Sequence, residues 1–128
     1  MDDAILKGIR KGIEEFNAEA FFEAHDTWED VWMDLRGENR LFLQGLIQVA
    51  IGYYHMTCEN FDGSAHLLTR AIEKLETYPG VVEGILLAPL LEQVRLSLVA
   101  VQQTRVGNNP VSFWTFPKIA LQDAISSK

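Results

Sequence analysis

A chain of 128 residues is long enough for one domain that buries roughly two-thirds of its unfolded surface and needs no disulfide or metal to fold. Its single cysteine, Cys58, can make neither an internal bridge nor a zinc site. The balance of 11 basic against 18 acidic residues gives a net charge of −7, and with no Lys/Arg run it excludes a phosphate backbone or an anionic membrane surface as partner.

The start, Met1-Asp2-Asp3, lacks the basic opening and apolar run of a signal peptide. No apolar stretch approaches the roughly 18 residues of a membrane span. A cytoplasmic location is therefore expected. The first helix is predicted over Asp2–Phe16, where Ile5, Ile9, Ile13 and Phe16 recur on one stripe. Asn17 is the predicted break, because Asn tolerates the left-handed turn at a helix end. The second helix is predicted over Ala20–Leu35, with Gly37 as its stop. The third, Asn39–Thr57, is apolar on most sides, as a central helix should be. Gly45 and Gly52 are seven apart on one of its faces, which predicts close approach of a neighbouring helix there.

A fourth helix is predicted after Asn60 or Asp62, either a good cap, with Phe61, Leu68, Ile72 and Leu75 as its stripe and Tyr78-Pro79-Gly80 as its end. A short segment through Leu87 follows. The fifth helix is predicted from Pro89 to Thr104, and Gly107-Asn108-Asn109-Pro110 is a loop. The tail carries Phe113, Trp114 and Phe116, too much aromatic surface to leave in water, so it should pack back on the bundle. No strand-type alternation is sustained. The expectation is an all-α, single-domain bundle (residues 1–128) of five helices, without a sheet. A homodimer is also expected, from the excess of aromatic residues in a chain this short.

The second helix is the informative one. Turned at about 100° per residue, Phe21, Trp28, Glu29 and Trp32 fall within about 60° of His25. Glu23, Asp26, Asp30 and Asp34 fall on the opposite side. Trp28 and Trp32 should thus be largely buried, and His25 and Glu29 should lie on the same inner face. A carboxylate there is costly unless paired, and His25 and Glu29, at i and i+4, can meet. They form either a satisfied structural pair or a site: a histidine beside a buried acid, or two ligands of a divalent metal.

On the third helix, Gln44, Gln48 and His55 share one stripe, interrupted by Ile51. The short glycine-containing link makes the second and third helices antiparallel neighbours, which brings Gln48 level with His25 and Glu29. One interhelical cluster of His25, Glu29 and Gln48 follows. It is either a sealed network that fixes helix register or an open site. No HExxH, P-loop or GxSxG motif is present, and Glu23 is two residues from His25 rather than the three of di-iron bundles.

Three blocks carry a family resemblance. Phe16-Asn17-Ala18 with Phe21-Phe22-Glu23-Ala24-His25-Asp26, Trp28-Glu29 and Trp32 is the first. Leu43-Gln44-Gly45-Leu46-Ile47-Gln48 is the second, and His55 with Asn60 and Gly63 is the third. Together they resemble the domain of unknown function 309 family over about residues 5–80, with Asp26 where that family usually has Glu. The resemblance implies a compact helical bundle and a cytoplasmic microbial protein. It implies no activity, but it directs attention to Glu23, His25, Glu29, Gln44, Gln48 and His55. The expected function is a non-catalytic binding or interaction module for a small molecule or a protein, without a cofactor. The alternative is a small hydrolase using His25 and Glu29, with or without a divalent metal.

Overall fold

The computed structural model describes residues 2–107 and 115–122. Five helices follow in order: α1 (Asp3–Asn17), α2 (Phe21–Asp34), α3 (Arg40–Thr57), α4 (Phe61–Leu75) and α5 (Leu87–Arg105). Each packs against the next, and α3 lies between α2 and α4 with ten of its residues buried.

Local chemistry sets the ends. Asp2 caps α1 by accepting from the Ile5 amide at 2.9 Å, and Asn60 caps α4 by accepting from the Gly63 amide at 3.1 Å. The left-handed residue after α1 is Glu19 (φ 63°), two positions beyond the Asn17 break expected from sequence. Gly37 (φ 97°) follows α2 at a distance: the helix ends at Asp34 and Leu35 is already extended. Helix α5 begins at Leu87, so Pro89 is its third residue, where a missing N–H still costs no intrahelical bond.

The expectation of no sheet is corrected by a small hairpin. Strands β1 (Val81–Val82) and β2 (Ile85–Leu86) pair antiparallel, Val81 with Leu86 and Val82 with Ile85. Glu83 (φ 50°) and Gly84 (φ 80°) both adopt the left-handed conformation that a two-residue hairpin turn needs. Two-residue strands are too short to show a period, so no alternation could reveal them.

The tail returns to the bundle, as its aromatic content predicts, at the residues that are described. The Leu86 amide donates to Ala120 O (2.9 Å) and the Gln122 amide to Gly84 O (2.6 Å), beside an Ile85–Leu121 bridge. Asn17 grips the chain at Ile119 from both sides, its Nδ2 donating to Ile119 O (2.9 Å) and its Oδ1 accepting from Ile119 N (2.7 Å). Phe116 meets Phe21 and Tyr53 edge-on, with ring centres 5.0 and 5.6 Å apart. Phe113 and Trp114 lie outside the described residues, as does the loop from Asn108 to Pro110.

Aromatic side chains fill the interior. Phe16, Phe21, Trp28, Phe42 and Tyr53 are all buried. The two glycines of α3 act as the sequence predicts. A Cβ on Gly45 would lie 2.7 Å from Leu75 Cγ, and one on Gly52 would lie 2.6 Å from Leu68 Cδ2, so both face α4 at close range.

Tyr53 gives a pH test of this core. Burial pushes its phenol well above the usual value, and its hydrogen bond to Ser97 Oγ (2.9 Å) offsets part of that. The folded state then keeps a proton that the unfolded chain loses above about pH 10. Stability is fully present below that pH and should fall as pH rises beyond it, by about 1.4 kcal/mol per unit from this group. Thermal melts between pH 9 and 11 should decline less steeply in Tyr53→Phe; equal slopes would show that Tyr53 ionises freely in the fold.

Candidate functional site

The buried stripe of α2 is Phe21, Ala24 and Trp28, continued by Leu35 just beyond its end. Its centre lies about 70° from His25, on the side of Ala24. The face read from the aromatic residues alone is therefore rotated, because a fully buried alanine gave little weight to the side that packs most closely. Trp28 is buried as expected, whereas Trp32 is only half-buried. The acidic outer face stands: Glu23, Asp26, Asp30 and Asp34 are exposed.

The rotation moves Glu29 as well. Its side chain is 54% exposed, so it is not an inner-face carboxylate that must be paired. His25 is 17% exposed and lies at the border between core and solvent. Its Nε2 is 3.3 Å from Glu29 Oε2, the i, i+4 contact expected, and its Nδ1 is 3.3 Å from Asp26 Oδ1. The Asp26 contact is close enough for charge attraction but not aligned as a hydrogen bond, which leaves Nδ1 sealed from solvent without a hydrogen-bond partner.

Across from this border runs an open groove of about 520 Å³ between α2, α3 and α4. Its polar lining is His25, Glu29, Gln44 and Gln48, and its apolar lining is Trp32, Met33, Ile47, Ile51 and Leu67. The Oε1 atom of Gln48 is buried in this wall and has no hydrogen-bond partner. Trp32 is held by a bond from its Nε1 to Arg40 O (3.0 Å), with the Arg40 guanidinium 3.5 Å from the centre of its ring. Phe22 props His25 from the other side, its ring 5.5 Å from the imidazole and 5.3 Å from Tyr54.

Of the six residues singled out by sequence, four line this groove and two do not. His55 belongs to the α3–α4 turn: its Nδ1 lies 3.2 Å from Asn60 Nδ2, while Asn60 caps α4. A Cβ on Gly63 would lie 2.6 Å from that Asn60 side chain, so the block His55, Asn60 and Gly63 is a capped turn. Glu23 faces Tyr54 instead: the neighbouring Cys58, and more weakly Glu23, hold the Tyr54 phenol above its ordinary value. Sequence reasoning missed Asp26 as a third donor beside His25 and Glu29, the three offering ligand atoms within 4.8 Å of one another. It also missed Leu67, an exception to the Leu68 stripe that only the packing of α4 reveals.

Among the described residues, no helix is long and apolar enough to cross a membrane. The model of the family described as "Domain of unknown function (DUF309)" matches residues 9–67, a stretch that includes every residue lining the groove. No curated protein matches the chain.

Proposed function

We propose, from the match of residues 9–67 to the domain of unknown function 309 family, whose description states no activity, that the groove between α2, α3 and α4 binds a small molecule and that the protein is a non-catalytic binding module. The observation that carries this reading is the buried, unpartnered Gln48 Oε1 in the wall of an open groove. A buried acceptor left unpaired costs about 1–3 kcal/mol, and a turn of the Gln48 amide that brings Oε1 to a ligand donor in the groove would remove that cost. The volume suits a small organic ligand, and an apolar lining with a few convergent polar groups is the usual make-up of such a site.

Two outcomes separate an open site from a register device. Gln48→Leu removes the unpaired acceptor, so its melting temperature should stay level or rise; a clear fall would mean that the amide is a satisfied part of the fold. Indole, as a neutral probe, should shift the amide resonances of residues lining the groove, and Ile51→Trp, which fills it, should abolish those shifts. Indole leaving the wild-type groove unperturbed would sink the reading.

The hydrolase reading rests on the donors of His25, Asp26 and Glu29. Asp26 and Glu29 flank opposite nitrogens of one imidazole, so a single ion bound to the ring cannot keep both contacts as they stand. Among the described residues, no hydroxyl or thiol nucleophile lines the groove. Zinc found at one equivalent in purified protein, lost in His25→Ala, would favour the metal reading nonetheless.

A further inference from the structure

Resting on that binding reading, we infer that the ligand class is a small organic amine: a protonated nitrogen on an apolar body.

The polar side of the groove carries the Glu29 carboxylate and the unpaired carbonyl oxygen of Gln48, beside the Gln44 and Gln48 amides and the His25 imidazole, which can also donate. Among the described lining residues there is no lysine or arginine, so the full charge on this side is negative. Asp26 adds a second carboxylate just behind His25. Two carboxylates against one imidazole leave this rim negative whichever protonation state His25 holds. The Arg40 guanidinium stacks on the Trp32 ring and donates through Nε to Leu35 O at 3.1 Å, so its positive charge sits beside the apolar wall, away from the Glu29 rim, and its stacking is already used by Trp32.

An ammonium group carries several N–H donors and one positive charge. It could meet Glu29 by charge and, with the Gln48 amide turned toward the groove, Oε1 by hydrogen bond. A carboxylate or phosphate ligand would instead face the like charge of Glu29, with that of Asp26 behind His25. The net charge of −7 enriches cations around the whole molecule, which favours the same sign of ligand during encounter. Trp32, Met33, Ile47, Ile51 and Leu67 leave room for the apolar body. A bare inorganic cation would use none of this apolar wall.

Three probes of one shape and different charge test the inference on the full chain: 2-phenylethylamine, 2-phenylethanol and 3-phenylpropionate, each titrated while amide resonances are followed. The amine should bind in the groove about threefold or more tightly than the alcohol, the scale of a charge contact that water still reaches, and the propionate should be weakest. Glu29→Gln, at an exposed position that should not disturb folding, should erase the advantage of the amine and leave the alcohol unchanged. An alcohol or propionate that binds the groove as tightly as the amine would overturn the amine assignment and leave the binding reading standing. Failure of all three to perturb the groove would overturn both.

Discussion

Trp28→Ala should cost about 3–5 kcal/mol by loss of a large core side chain, and about 1 kcal/mol more through its hydrogen bond. Small domains have only about 5–15 kcal/mol in total, so the variant should be largely unfolded at modest urea concentrations. The indole is 0% exposed. It stacks at 6.1 Å on Phe16 and donates from Nε1 to Ile9 O at 3.0 Å, so one side chain joins α2 to α1 by area and by a directed bond. Trp32→Ala should cost clearly less, since that ring is half-buried and its bond to Arg40 O is partly in reach of water. Urea unfolding followed by circular dichroism would compare them; equal midpoints for the two variants would refute the assignment of the inner face to Trp28.

Gly12→Ala should be the second severe change, although alanine is the better helix former by roughly 1 kcal/mol. A Cβ at Gly12 would fall on the Trp28 indole, at Nε1, Cδ1 and Cε2. The indole is fixed by its bond to Ile9 O and by Phe16, so it cannot swing aside without losing both. Overpacking of this kind costs about 1–3 kcal/mol or more, and here it should exceed the helix gain. The decisive check is a double-mutant cycle. In a Trp28→Ala background the same Gly12→Ala should become neutral or stabilising, because the obstacle is gone and the methyl enters the vacated space. A loss of equal size in both backgrounds would place the cost elsewhere.

Much of this architecture could be read from spacing. Ile9, Ile13 and Phe16 declared the inner face of α1, the Gly45–Gly52 pair declared the close contact with α4, and Asn60 declared a cap. The hairpin could not be read, because two-residue strands carry no period and Glu83 is a poor advertisement for a left-handed turn. The orientation of α2 was misjudged for a related reason. Bulky rings dominate a helical wheel, yet Ala24, with its small side chain, is fully buried and marks the inner side. That error made Glu29 look buried, although the pairing with His25 and the level of Gln48 across the link were both legible. His55 shared a stripe with the glutamines, but only the turn to Asn60 decides where its ring points. Leu67 enters the groove from α4, a relation between distant segments that no local pattern expresses.

The grip of Asn17 on Ile119 joins positions 102 residues apart. During synthesis, α1 to α4 emerge from the ribosome well before that partner exists. Until Phe116 and Ile119 follow, Phe21 and Tyr53 lack their last aromatic cover and the Asn17 amide has only water to bind. A nascent chain halted near residue 105 would therefore hold its helices yet keep one greasy wall open, the kind of surface that chaperones retain and that aggregates at high concentration. Sealing waits for the segment around Phe116 and Ile119, and a truncation that removes it but spares every helix should lengthen the time the chain spends in chaperone hands.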